Sequence, residues 1–326
     1  MRPRPVILDA DGVFLAERPY WNAALGTALE ANGLVAQVAG RWDTLADRAF
    51  GPVGLQRVTK GAGCNSNWDL AAVLVRALDD RRWRDLVEEL LESRDREIEA
   101  MQALRLAAAR LLDGESNGGD PLLRFGINRG SPFFAEVVDL FQKVLHGDAG
   151  LGWTFERWQL REPWERTGRA LGDLRDVGHV LRVCTGRNRA EIELPIRKLG
   201  LEAYLPLSEI TSADDIDRAE ALSDRGALGK PHWFGPACAA VGFEVALEAL
   251  SGSRRLSGAG VYVGDAWADF CAVSSCRALG LDLAFVHVRS GTTTVDQERA
   301  IAESDGTLGA VSSLLELGTL VRETRS

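Results

Sequence analysis

Two aspartates one residue apart, Asp9 and Asp11, close a short apolar run of Val6, Ile7 and Leu8 and are followed directly by Gly12. Carboxylates at that spacing repel each other unless a cation or a proton lies between them, so the pair implies either a metal site or one raised pKa. A plain Asp-Gly turn after a strand uses the same residues, and this stretch alone does not decide between them. Thr185-Gly186-Arg187-Asn188 sets a hydroxyl and a glycine at the mouth of a helical segment, where free backbone amides can cradle a phosphate. Threonine in that place also reads as a simple cap. Gly229-Lys230-Pro231 offers a lysine in a turn; it is either a solvated surface group or a compact point charge beside acids. Gly264-Asp265 is followed one helical turn later by Asp269, so both carboxylates can face the same side. Capping accounts for Asp265 taken singly.

These residues need strands to deliver them. Val6 to Leu8 show no polar alternation, which suits a strand covered on both faces of a parallel sheet. In such sheets ligands sit beyond the carboxyl ends of the strands, where Asp9 and Asp11 would emerge. From Pro163 onward the pattern alternates. It predicts helices over Trp164–Val177, Asn188–Leu199, Gly235–Leu250, Trp267–Leu279 and Val311–Val321, with strands at Val180–Cys184, Leu207–Ile210, Gly260–Val263 and Leu283–Val288. That alternation predicts an α/β, doubly wound parallel sheet of Rossmann-like form.

Between Pro19 and Glu162 strands are hard to find. Pro19 and Pro132 open helices, and a helix is expected over 44–50 and another after Ser66 or Asn67 as its cap. The segment 81–112 is long, charged and periodic, and 113–120 is a loop. This stretch reads as a separate, mainly helical domain. The expected division is therefore residues 1–16 with 163–326 as a core, and 17–162 as a helical insert.

Composition narrows the setting. The 326 residues carry a formal charge of −9, which argues against a nucleic-acid partner, and no apolar run approaches membrane-spanning length. The basic start runs straight into acids and does not resemble a secretory signal, so a cytoplasmic location is expected. Five scattered cysteines, without a Cys-x-x-Cys pair, read as reduced thiols. Homo-oligomerisation is left open.

Taken in order, Asp9-Ala10-Asp11-Gly12, Thr185-Gly186-Arg187, Lys230-Pro231 and Gly264-Asp265 to Asp269 resemble the four motifs of the haloacid dehalogenase superfamily of phosphohydrolases. The helical insert stands where that family carries a cap domain. The resemblance implies that Asp9 is the nucleophile forming an aspartyl phosphate. It implies that Asp11 protonates the leaving oxygen and later activates water, that Thr185 hydrogen-bonds the phosphoryl group, and that Lys230 steadies Asp9 and the phosphate. Asp9, the Asp11 backbone carbonyl, Asp265 and Asp269 are the implied metal set.

Charge balance points the same way. Four aspartates and a phosphate dianion cannot converge on one lysine without severe repulsion, since one like-charge pair at ~4 Å costs ~4 kcal/mol at an effective dielectric of ~20. An all-oxygen donor set favours Mg²⁺ over Zn²⁺. The dehalogenase and phosphonatase members that this chain otherwise resembles lack an acid at the position of Asp11, and its presence here favours phosphate-ester or phosphoanhydride cleavage, or a phosphomutase.

The expected substrate is a small phosphorylated metabolite. Substrate contacts are expected from Gly186, from Arg187 (facing either the substrate or the helix surface), and in the insert from Asn65, Asn67, Arg124, Asn128 and Arg129. The leading reading is a Mg²⁺-dependent phosphatase acting on a small phosphomonoester. The alternatives are a phosphosugar mutase and a non-catalytic phosphometabolite-binding module.

Overall fold

A computed structural model describes residues 4–33, 66–79, 122, 125–148, 150–151 and 156–323 of the protein. Asn65, Arg124, the helix expected over 44–50, the charged segment 81–112 and the loop 113–120 lie outside the described residues. The chain forms two compact units, Met1–Ala16 with Trp158–Ser326, and Glu17–Arg157. Pro163 is the return point expected from sequence, but the chain rejoins the first unit at Trp158. There Ala16 N–H donates to the Gln159 carbonyl at 2.9 Å and Arg161 N–H to that of Phe14 at 3.0 Å.

The first unit is a six-stranded, all-parallel sheet. Its strands are β1 (Pro5–Leu8), β2 (Val180–Cys184), β3 (Ile210–Thr211), β4 (Ala259–Gly264), β5 (Asp282–Val288) and β6 (Thr307–Val311), in the order β3-β2-β1-β4-β5-β6. This is an α/β Rossmann-like fold. Alternate side chains of each strand enter two different cores. Val6, Leu8, Val261, Val263, Val286 and Val288 fill one, and Ile7, Tyr262 and Phe285 the other. Burial on both sides is why these strands read as unbroken apolar runs.

Among the described residues three helices lie in the second unit: α1 (Arg18–Ala31), α2 (Asn67–Asp79) and α3 (Pro132–His146). Eight lie in the first: α4 (Trp164–Asp176), α5 (Arg189–Lys198), α6 (Ala213–Ser223), α7 (Phe234–Val241), α8 (Phe243–Leu250), α9 (Trp267–Ala278), α10 (Val295–Ala302) and α11 (Leu314–Glu323). The first core takes Leu171 and Leu174 of α4, Ile192 and Ile196 of α5, and Leu314 and Leu317 of α11. The second takes Ala219 of α6, Phe234 of α7, Ala246 of α8, Val273 of α9 and Ile301 of α10.

Four sequence expectations change. The single helix over Gly235–Leu250 is two, because Gly242 at φ 94° breaks it. The helix expected from Val311 starts at Leu314, and Val311 instead ends β6. Ser313 marks the boundary by accepting from Glu316 N–H at 3.3 Å and donating to its carboxylate. Leu207–Glu209 form a 3₁₀ turn before a two-residue β3. Helices α6 and α10 escape periodicity because each buries one residue, Ala219 and Ile301. Their signal is the capping box at each start, Ser212 with Asp215 and Thr294 with Gln297.

In the helical unit Pro19 sits in the first turn of α1, and Tyr20 packs against Phe141 of α3 with ring centroids 6.0 Å apart. Ser131 caps α3, accepting from Phe134 N–H at 3.2 Å. Phe133 is half-buried under the Arg76 guanidinium, 3.9 Å from its ring centre.

Candidate active site

Strand order explains why distant acids meet. β1 and β4 are neighbours from which the chain winds in opposite directions, and that reversal opens a crevice at their carboxyl ends. Asp9 follows β1 and Asp265 follows β4. Asp9 N–H donates to the Val263 carbonyl at 2.8 Å, which aligns the two strand ends. One carboxylate oxygen from each of Asp9, Asp265 and Asp269 lies within 4.8 Å of the others, and all three residues are buried. Among the described residues no other trio of His, Cys, Asp or Glu comes so close.

Each acid is held differently. The Lys230 ammonium stands 2.8 Å from Asp9 Oδ1 and 2.7 Å from Asp269 Oδ1, donates to the Cys184 carbonyl at 3.3 Å, and lies 5.6 Å from the Tyr262 ring centre. Asp269 also accepts from the Tyr262 hydroxyl at 3.2 Å and from Ala266 N–H at 3.2 Å, closing the start of α9. The helix-start contact is thus made by Asp269 rather than by Asp265, which capping had explained in the sequence. Asp265 Oδ2 accepts from Ser290 Oγ at 2.7 Å. Thr292 Oγ1 donates to the Asp265 carbonyl at 2.8 Å.

Two glycines allow the crowding. A Cβ on Gly12, at φ 74°, would fall on the Asp265 carboxylate. One on Gly264 would meet Asp269 Cβ at 2.6 Å.

Burial pushes Asp9 up to about 7 against the opposing pull of Lys230, with Asp269 and Asp11 adding to the rise. Burial alone would lower Lys230, but the Asp269 and Asp9 carboxylates override it and hold the ammonium well above its ordinary value. Burial likewise pushes the Cys184 thiol up to about 12. Among the described residues, three carboxylates gather beside one ammonium. An oxygen-only set of this kind fits a hard divalent cation such as Mg²⁺. Asp9, Asp265 and Asp269 are the side chains that could hold it.

Asp11 belongs to a different arrangement. Its carboxylate is gripped by the Arg187 fork, Nε to Oδ2 at 2.8 Å and Nη2 to Oδ1. Its side chain lies outside the carboxylate trio. Arg187 is buried, so of the two positions its sequence context offers, the substrate or the helix surface, it does not take the helix surface. Thr185 is buried after β2, and its Oγ1 accepts from Arg187 N–H at 3.2 Å. Gly186 between them is exposed.

In the helical unit Asn67 is half-buried at the start of α2. Asn128 Oδ1 accepts from Gly130 N–H at 2.8 Å. Arg129 makes a two-point pair with the buried Asp69, Nε to Oδ1 at 3.1 Å and Nη2 to Oδ2 at 2.7 Å. These contacts are loop-shaping and intra-unit. Sequence reasoning missed Tyr262, Ser290 and Thr292. Tyr262 was readable only as a core strand residue. A Ser-x-Thr after β5, with the strand beside β4, is the signal for the other two.

No protein-family model matches the chain, and no curated protein matches it. Among solved structures, an X-ray structure determined as a Northeast Structural Genomics Consortium target aligns with a TM-score of 0.66. The alignment spans 98% of this chain and 99% of that one at 18% identity. A hydrolase from Pseudomonas syringae aligns over 98% of both chains at 14% identity, with a TM-score of 0.41, too loose a superposition to carry an inference. The first likeness establishes a shared fold; what the site does rests on its own residues.

Proposed function

We propose that this chain is a Mg²⁺-dependent phosphatase of haloacid-dehalogenase type, acting on a small phosphomonoester through an aspartyl phosphate on Asp9. The observation that carries the reading is the convergence of Asp9, Asp265 and Asp269 within 4.8 Å, with Lys230 bridging Asp9 and Asp269. Residues separated by more than two hundred positions in the chain meet at one sheet edge, which supports reading them as one site.

In this reading an Asp9 carboxylate oxygen attacks phosphorus and the ester P–O bond breaks. Asp11 delivers a proton to the departing alkoxide. Water then attacks the phosphorus of the acyl phosphate and gives its proton to Asp11. The P–Oδ bond breaks, which frees inorganic phosphate and restores Asp9. Lys230 keeps the Asp9 oxygen oriented and offsets charge on the phosphoryl group, while the Thr185 hydroxyl holds a non-bridging oxygen. A Mg²⁺ held by Asp9, Asp265 and Asp269 would supply charge neutralisation between the carboxylates and the phosphoryl oxygens. Substrate choice is assigned to the helical unit, with Asn67, Asn128 and Arg129 as its described polar candidates.

Released phosphate from a panel of phosphomonoesters in Mg²⁺ tests this. EDTA is expected to abolish release, and a folded Asp9→Asn protein to lose it by at least about three orders of magnitude. Undiminished turnover by Asp9→Asn refutes the assignment. Conversion of a hexose 1-phosphate to the 6-phosphate without free phosphate would make the protein a mutase instead.

A further inference from the structure

Arg187 is a buried cation with no part in the phosphatase chemistry proposed above. Its position is fixed from several directions. The main-chain N–H donates to Thr185 Oγ1 at 3.2 Å, the main-chain carbonyl accepts from Ala213 N–H at 2.8 Å, and Nη1 reaches the Glu191 carbonyl at 3.5 Å. The same guanidinium then presents Nε and Nη2 side by side to the two oxygens of Asp11. A planar fork of this kind fixes the plane of the carboxylate as well as its distance, which a lysine could not do.

Asp11 needs such a partner because of where it sits. It lies in a tight turn in which the amides of Phe14 and Leu15 both donate to the Ala10 carbonyl at 3.1 and 2.9 Å, while Gly12 N–H donates to Leu15 O at 2.9 Å. These bonds hold the main chain but leave the Asp11 side chain free to rotate, and its side chain is 20% exposed against 4% for Arg187. A guanidinium so deeply buried is poorly placed to meet a substrate arriving from solvent.

We infer that Arg187 is a positioning residue, which sets the orientation of the Asp11 carboxylate for proton transfer to the leaving group. The inference rests on the phosphatase reading of Asp9 and Asp11. Removing the fork lets the carboxylate turn away from the leaving oxygen, and proton transfer from a misplaced acid forfeits much of its advantage.

The test is single-turnover release of the leaving group from two esters, β-glycerophosphate, whose alkoxide needs a proton, and p-nitrophenyl phosphate, whose phenolate does not. Arg187→Ala is expected to slow the first by roughly ten- to a hundredfold and the second only a few-fold, with KM little changed. Arg187→Lys, keeping the charge without the fork, should fall between. In an Asp11→Asn background Arg187→Ala should cost nothing further, because it acts through Asp11. Equal slowing of both esters, losses that multiply in the double variant, or a raised KM at unchanged kcat overturns the inference.

If Arg187→Ala fails to fold by circular dichroism, Arg187→Gln carries the same cycle. Independently of turnover, a crystal structure of Arg187→Ala or Arg187→Gln should show the Asp11 carboxylate rotated. An unmoved carboxylate contradicts the proposal. Equal leaving-group release by wild type and Asp9→Asn would instead sink the phosphatase reading, and leaves the rotation of Asp11 as the deciding observation for Arg187.

Discussion

Asp9 and Asp11 are two residues apart, yet they are matched to their surroundings in opposite ways. Asp9 shares one ammonium with Asp269, and Asp265 beside them accepts from the Ser290 hydroxyl at its carboxylate and from the Thr292 hydroxyl at its main-chain carbonyl. Asp11 meets the Arg187 guanidinium at both of its oxygens. A lysine is a point charge that can be divided among acceptors, whereas the arginine fork pairs one carboxylate completely. In the first arrangement carboxylates crowd one another across a shared ammonium; in the second one carboxylate meets one guanidinium at two points. How the cation is divided thus separates two neighbouring acids, and the crowded trio is the set that could hold a metal.

Replacing each cation should expose the contrast most strongly. Lys230→Ala strands Asp9 and Asp269 as buried carboxylates without their partner, a loss expected at about 3–5 kcal/mol in metal-free protein. Added Mg²⁺ should recover part of it. Arg187→Ala should also destabilise, but Mg²⁺ should recover none of that loss. Denaturation with and without Mg²⁺ reads both, and equal recovery in the two variants would erase the distinction.

A smaller effect follows from pH. The fold raises Asp9 from 3.8 to about 7, chiefly through burial. Between those values the unfolded chain has shed a proton that the folded protein retains, so rising pH favours unfolding. The Asp9 contribution is complete below about 3.8 and is lost as pH passes through about 7. Metal-free protein should therefore lose thermal stability across that window, and the gain in Tm on adding Mg²⁺ should grow as Asp9 ionises. Asp9→Asn should flatten both trends. A wild-type and Asp9→Asn pair with the same pH dependence would show that Asp9 is not the titrating group.

The smallest change is Ser290→Ala, which removes the 2.7 Å bond to Asp265. A loss of about 1.5–3 kcal/mol is expected, as for other hydrogen bonds to charged groups. Mg²⁺ affinity by calorimetry should weaken, while the Asp11-dependent preference between esters stays as in wild type. A changed ester preference with intact Mg²⁺ affinity would assign Ser290 to the wrong arrangement.

How much of this was legible in the sequence depended on the physics behind each feature. β1, β2, β4 and β5 were readable because burial on both faces makes them apolar throughout. Asp9, Lys230, Asp265 and Asp269 were readable as an ordered set, although nothing in one dimension shows that β1 and β4 adjoin. Helices α6 and α10 were obscured because their single buried residues give no period, and their caps were the only marker. Arg187 looked like a surface or substrate residue because its partner lies 176 positions away. Ser290 and Thr292 had only a Ser-x-Thr after β5 to mark them, since a hydroxyl after a strand acquires meaning only when the neighbouring strand is known.

The most direct measurement is the identification of the phosphorylated side chain. Asp11→Asn protein, slowed in hydrolysing its intermediate, would be incubated with p-nitrophenyl phosphate and Mg²⁺, quenched in acid, digested and mapped by mass spectrometry. The account predicts a hydroxylamine-labile phosphoryl group on Asp9, absent when EDTA replaces Mg²⁺ and absent in an Asp9→Asn/Asp11→Asn protein. A phosphoryl group on another residue, or labelling of Asp9 that proceeds equally in EDTA, would contradict it.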